Sequence, residues 1–189
     1  VIEGACDGIG KTTQARLLKE HFKMVGVRTA DHHFPTYYAY QGKGAEKYLA
    51  GEFGGLRQLS PYFVNNLYAY DRAITWRVKL ESEFEKGKVI LLDRYTTSSM
   101  IYQSALFSDP SERLRFVDYI EDFEYNKLGI KRPDLVFFLS APFEVAYELA
   151  QARAKATNGK SDIHEKDQTY LRQAYDNAQE IAAYCKWQK

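Results

Sequence analysis

Short apolar runs alternate along the chain with longer stretches in which apolar residues recur every three or four positions. Residues 1–3 read as the end of a strand. From 11 to about 24 the spacing is helical, with Leu17, Leu18, Phe22 and Val25 on one stripe. Residues 27–33 read as a second strand. Ser60-Pro61 opens a long helix, with Ser at the N-cap and Pro at the first helical position; the pattern runs to about residue 86 and Gly87 stops it. "KVILLDRY" (88–95) and "PDLVFFLS" (133–140) are continuous apolar runs suited to strands buried on both faces. Pro142 starts another helix, to about 154. A polar stretch, "KATNGKSDIHEKD", follows, and a last helix covers about 168 to 184. There is no internal repeat and no interdomain linker, so 1–189 reads as one domain.

This alternation predicts an α/β fold with a parallel sheet flanked by helices on both faces. Ligands of such sheets bind beyond the carboxyl ends of the strands. Two chemistry-bearing stretches sit at such ends. The first is "VIEGACDGIGKTTQ". A phosphate-binding loop has the spacing G-x-x-x-x-G-K-[ST], which puts its first glycine at position 5. Ala5 stands there, and the glycine is at 4. The Gly10-Lys11-Thr12 end is intact, so the P-loop NTPase fold is expected, with a local bulge at Ala5-Cys6 that leaves phosphate binding alone and shifts Asp7. Residues Asp7, Gly8, Ile9, Gly10, Lys11, Thr12 and Thr13 then surround the ATP phosphates. Backbone N–H groups and the helix N-terminus converge there, Lys11 reaches the β- and γ-phosphates, and the Thr12 hydroxyl goes to Mg²⁺.

The second stretch is "VILLDRY". Asp93 ends a buried strand, where a carboxylate organises Mg²⁺. Arg94 beside it is suited to hold a phosphate in bidentate fashion. Two phosphate-holding groups imply two phosphorylated substrates, and hence a kinase acting on a phosphate.

Composition narrows the classes. The chain has 189 residues, 45% hydrophobic and 27% charged, enough for one domain with a core. A net charge of +1 argues against a nucleic-acid binder. No run of 18 or more apolar residues appears, so no membrane span is expected. Two distant cysteines make no disulfide framework; Cys6 reads as a free thiol, and a reducing, cytoplasmic setting is expected. The start without Met and the stop just after a helical pattern imply that both termini are truncated, hiding a last strand where adenine contacts would lie. His32 and His33 are adjacent on a strand and point to opposite faces, which argues against a zinc site.

In order along the chain, "IEG-CDGIGKTTQ", "FP" (34–35), "YLAGEFG", "PYFVNNLYAYDR", "DRYTTSSMIYQSA", "RPDLVFFL" and "D-I-H-E" (162–165) give the chain a close likeness to one family. It resembles the thymidylate kinases, P-loop enzymes that phosphorylate dTMP with ATP. The resemblance implies a mobile lid, here 153–167, and a homodimer. It places Asp7 near the sugar 3′-hydroxyl and Arg94 on the dTMP phosphate. It stacks Tyr68 on thymine and hydrogen-bonds Arg72 to the base. It sets Ser98, Tyr102 and Gln103 around the base edge and sugar, with Tyr102 crowding C2′ against a ribose. Phe34 and Leu49 line the nucleoside pocket. Tyr68 and Arg72 lie four apart on the predicted helix and so share a face, which supports this pairing independently.

The chain also departs from the family pattern. Tyr37 stands where many members have an arginine. Gly8 and Ile9 replace a loop arginine that some members use in catalysis. The lid must then supply the cation on the migrating phosphoryl group; Arg153 is favoured and Lys160 comes next. Ile163 replaces the usual lid arginine. Two other readings stay in view. A deoxynucleoside kinase of similar fold would need a carboxylate to take the 5′-hydroxyl proton, and Glu3 is the candidate. A GTPase-like switch would need N-K-x-D, but the chain has Asn126-Lys127-Leu128-Gly129.

Overall fold

A computed structural model describes residues 1–156, 163–164 and 167–189, without the side chains of 153–156. Its sheet has four parallel strands in the order β2-β3-β1-β4: β1 (Ile2–Gly4), β2 (Thr29–His33), β3 (Val89–Asp93) and β4 (Phe137–Leu139). Helices surround it: α1 (Lys11–Met24), α2 (Lys43–Leu49), α3 (Pro61–Thr75), α4 (Glu81–Glu85), α5 (Thr96–Tyr102), α6 (Pro110–Ile120), α7 (Phe143–Ala156) and α8 (Gln168–Tyr184). Among the described residues no helix is long and apolar enough to cross a membrane.

The register decides what meets at the carboxyl ends. His33 pairs with Asp93, and Ile2 pairs with both Asp93 and Phe137. The loop after β1 and the turn after β3 therefore emerge side by side.

The strand boundaries shift slightly from those read in the sequence. β1 covers Ile2–Gly4 where 1–3 was expected, and β2 is confined to Thr29–His33. The expected stripe on α1 is corrected as well. Leu18 and Phe22 are half-buried, but Leu17 and Val25 are exposed, and the helix's fully buried residue is Lys11. The buried line runs 11, 15, 18, 22, a narrower stripe that ends on Lys11.

The long helix expected from Ser60 is continuous to residue 85, but it passes through a π-helical turn at Trp76–Leu80. Ser60 caps it by accepting from Tyr62 N at 3.3 Å, and Pro61 follows. A second π-helical segment, Glu121–Lys127, extends α6. It turns Glu124 fully inward toward α3.

Among the described residues the core has three parts. α5 and α8 pack Ile101, Tyr102, Ala174 and Ala178 against Phe138. Phe34, Trp76, Leu80, Leu92 and Tyr95 fill the space near β3. Met100, Phe116, Ile120 and Ile181 close the third. Asp167 caps α8 by accepting from Tyr170 N at 2.9 Å, and buried Tyr170, Ala174, Ala178 and Ile181 follow at helical spacing.

His32 faces the core and His33 the opposite side, as strand alternation requires. Lys79 Nζ stands 3.0 Å from His32 Nδ1, and Nε2 is 2.8 Å from Thr36 Oγ1. An ammonium only donates, so Nδ1 accepts and the proton sits on Nε2. Burial, helped by the Lys79 charge, pushes the His32 pKa down to about 4 from 6.5. The unfolded chain takes up this proton near pH 6.5 and the folded chain only near pH 4, so stability should fall as pH drops through that window and level off below it. Urea unfolding of wild type and His32→Gln at several pH values tests this. The substitution should flatten the slope between pH 6.5 and 4, and an unchanged slope would assign it elsewhere.

Candidate functional site

The loop after β1 is built on glycines that have physical reasons to be glycine. A Cβ on Gly4 would lie 2.7 Å from Ile9 Cγ2 and 3.4 Å from Leu139 O. Gly8 takes φ +78°, and its Cβ would meet the backbone of Ala150 on α7 at 2.7 Å. Gly10, at φ 100°, precedes the first turn of α1. Ala5 is buried and continues the sheet ladder by donating to Leu139 O at 3.3 Å. The extra residue is thus taken up beyond Ala5, where the chain leaves the ladder.

Lys11 is 6% exposed. Its ammonium donates to Cys6 O at 2.6 Å and lies 3.5 Å from Asp7 Oδ1. Burial pushes its pKa down and the Arg94 charge pushes the same way, against the carboxylates of Asp7, Glu3 and Asp93. A lysine so held is a desolvated cation aimed at the space where phosphates would sit.

Across the sheet, Thr12 Oγ1 donates to Asp93 Oδ2 at 2.6 Å, joining positions 81 residues apart. His33 Nδ1 lies 3.0 Å from the same oxygen. Asp93 Oδ1 is buried and has no partner among the described residues. Burial alone would raise the Asp93 pKa, but hydrogen bonds from His33 and Thr12, with positive charge from His33 and Arg94, hold it below the usual carboxylate range. An ionised carboxylate with one buried oxygen to spare, beside a threonine hydroxyl, is a fit donor set for a hard divalent cation.

Arg94 takes φ 67°, a left-handed conformation that costs a non-glycine residue about 1–2 kcal/mol. The turn sends its side chain into the cavity. The guanidinium contacts Asp7, lies 3.8 Å from Glu3 and 3.4 Å from Ser98 Oγ, and stands over the Tyr102 ring at 5.5 Å. Asp7 therefore faces the cavity beside Arg94, so the bulge does not turn it away. Glu3 is fully buried and accepts from Gly4 N, Thr97 Oγ1 and Ser98 Oγ at 2.9, 2.9 and 2.6 Å.

Arg72 is also buried. It forms a bidentate pair with Glu124, both distances 2.6 Å, and contacts Asn65 Oδ1 and Ser99 Oγ through Nη2. Nη1 has Tyr95 O at 3.3 Å as its partner among the described residues. It therefore keeps one N–H for a ligand.

These groups line one cavity of about 890 Å³. It brings together Asp7, Gly8, Gly10, Lys11, Thr12 and Thr13 from the loop, Asp93 and Arg94 from the β3 turn, and Phe34, Leu49, Tyr68, Arg72, Ser98, Tyr102 and Gln103 around them. Of the expected site residues described here, Ile9 alone is not in the lining; its side chain folds back toward Gly4. Lys160 lies outside the described residues, as does the side chain of Arg153. Sequence reasoning missed several lining residues: His33, Ser99, Phe143, Tyr147 and His164. His33 carried a signal in its period-2 position at a strand end. Phe143 and Tyr147 carried one in their i, i+4 spacing. Neither signal says which neighbour the side chain meets.

A family profile described as thymidylate kinase matches residues 2–189. The chain is similar to a thymidylate kinase of Mycobacterium tuberculosis (strain ATCC 25618 / H37Rv), 30% identical over 168 residues, which cover 88% of this chain and 77% of the relative. A probable thymidylate kinase of Thermococcus onnurineus is 32% identical over 160 residues, 83% of this chain and 73% of the relative. A thymidylate kinase of Synechococcus sp. (strain JA-2-3B'a(2-13)) is 28% identical over 182 residues, 96% and 79% respectively.

Proposed function

Because the chain belongs to the thymidylate kinase family, an enzyme phosphorylating dTMP with ATP, we propose how its own residues divide that work. The observation that carries the assignment is the meeting of Lys11, Asp93 and Arg94 on one cavity. ATP phosphates lie along the backbone N–H groups from Asp7 to Thr13, with Lys11 on the β- and γ-phosphates. Thr12 and Asp93 would hold Mg²⁺, which when bound neutralises charge on the β- and γ-phosphate oxygens.

Arg94 positions the acceptor phosphate by a bidentate contact, and Asp7 stands near the sugar 3′-hydroxyl. The acceptor arrives as an anion, so the transfer needs no general base. Tyr68 gives thymine its stacking platform, the spare Nη1–H of Arg72 reads its edge, and Phe34 and Leu49 wall the pocket. Ser98, Tyr102 and Gln103 surround the sugar and base edge. Arg153 and Lys160 remain the lid cations for the migrating group, in a lid at 153–167 of a single domain. A homodimer in the cytoplasm, without nucleic-acid or membrane partners, completes the proposal.

The deoxynucleoside kinase reading is not favoured. Its base would be Glu3, whose carboxylate is fully buried and engaged by Gly4, Thr97 and Ser98.

A coupled ADP-release assay with dTMP, thymidine, dUMP or no acceptor tests the proposal. Turnover is expected with dTMP, and turnover with thymidine but not dTMP would overturn it. In the same assay Arg94→Ala should raise the KM for dTMP by about 30- to 150-fold, the worth of a lost charge-assisted phosphate contact of about 2–3 kcal/mol. The KM for ATP should move far less.

A further inference from the structure

We propose that His164 is a positioning residue of the acceptor pocket: it holds the Tyr102 ring in place against the C2′ edge of the sugar and so takes part in excluding ribonucleotides. The proposal rests on the reading of Tyr102 given above.

Tyr102 is an unusual wall. Its hydroxyl is buried and makes no hydrogen bond among the described residues. Burial pushes the phenol pKa far up, so the ring stays neutral. Its backbone is pinned, because Tyr170 Oη donates to Tyr102 O at 2.8 Å. Among those residues the hydroxyl offers the ring no anchor beyond the neighbouring Arg94 guanidinium. What fixes the ring is contact: Arg94 stands over it at 5.5 Å, and His164 stacks on it at 6.1 Å with the planes 20° apart. Arg94 is paired with Asp7 and assigned to the acceptor phosphate, so it has work besides holding the ring. His164 is a second support, with anchors of its own on α2.

His164 is itself anchored from two sides by the end of α2. Tyr48 Oη lies 3.0 Å from its Nε2, and the neighbouring Ile163 N donates to Leu49 O at 3.1 Å. Tyr48 is fully buried, which fixes the α2 end of this contact. Its ring meets His164 edge-on at 5.5 Å and Tyr68 edge-on at 6.2 Å. The rings of Tyr68, Tyr48, His164 and Tyr102 thus form one connected run from the base platform to the sugar wall. A nucleotide that seats its base on Tyr68 is measured at C2′ by a ring braced through the same run. A 2′-hydroxyl could be accommodated only by displacing Tyr102, which His164 resists.

The test compares dTMP with 5-methyluridine 5′-monophosphate, which has the same base and adds the 2′-hydroxyl. The readout is the ratio of their kcat/KM values. Losing one aromatic contact in His164→Ala should lower this ratio by about fivefold. His164→Phe keeps a stacking ring and should restore most of it. Tyr48→Phe removes the anchoring hydroxyl while keeping the buried ring, and should lower the ratio in the same direction by about twofold.

A general loss of structure would lower both kcat/KM values together and leave the ratio unmoved, so an unmoved ratio in His164→Ala overturns the proposal. If that variant does not fold, Tyr48→Phe decides by the same criterion. Tyr102→Ala separates the two layers of argument. If it leaves the ratio unchanged, the reading of Tyr102 is wrong. If it collapses the ratio while His164→Ala does not, only the role of His164 is overturned.

Discussion

Glu124→Ala should destabilise the protein by about 3–5 kcal/mol, because it strands the buried Arg72 guanidinium without its counter-charge. Arg72 is 2% exposed and Glu124 0%, so apart from the one Nη1–H that faces the cavity neither charge has water to turn to. Burial alone would lower the Arg72 pKa, but the Glu124 charge and hydrogen bonds raise it. An arginine does not escape by losing its proton. With Glu124 gone, the remaining partners are Asn65, Ser99 and the Tyr95 carbonyl, all neutral. At about 2–4 °C per kcal/mol for a chain of this size, the melting temperature should drop by roughly 10 °C.

Thermal unfolding followed by circular dichroism measures this. The paired substitution Arg72→Met with Glu124→Leu should recover much of the loss, since it removes both buried charges. A single-variant loss below about 1 kcal/mol would mean that water reaches the pair, contrary to its burial.

Lys11→Met should have the opposite profile: a large effect on rate and a small one on stability. Lys11 is desolvated, and its lowered pKa says that the fold is working against the charge it holds. Methionine keeps most of the length of the side chain and removes that charge, while Asp7 retains Arg94. The melting temperature should therefore stay level or rise slightly. On the proposed assignment the migrating phosphoryl group would lose a preorganised cation, and kcat should fall on the order of 10³-fold. Steady-state ADP release at saturating ATP and dTMP, with a melting curve on the same sample, reads both quantities. A kcat within tenfold of wild type would remove Lys11 from the transition state.

These two residues differ in how legible they were. Lys11 announced itself through Gly10-Lys11-Thr12, because a phosphate loop is made of consecutive residues and its chemistry is local. The same holds for the Ser60-Pro61 helix start, for the β3 run ending on Asp93, and for the pairing of Tyr68 with Arg72 on one helix face. Each depends on φ/ψ preferences or side-chain period over a few positions, and these are written in adjacent letters. Glu124 gave no such sign. It lies 52 residues from Arg72, on a π-helical turn that re-aims the face of α6. On the page it is one more acid in "IEDFEYNK".

The sequence by itself determined the parallel α/β architecture, the phosphate loop with its extra residue, and the Asp93-Arg94 turn. Only the tertiary structure decided that His33 leans on Asp93, that Glu3 is sealed beneath Arg94, that Arg72 leans on Glu124, and that the His164 and Tyr102 rings meet. The physical reason is range. Periodicity and turn chemistry act between neighbours in the chain, whereas these contacts follow from the register of parallel strands and the rotation of helices. Both are settled by burying the whole core at once.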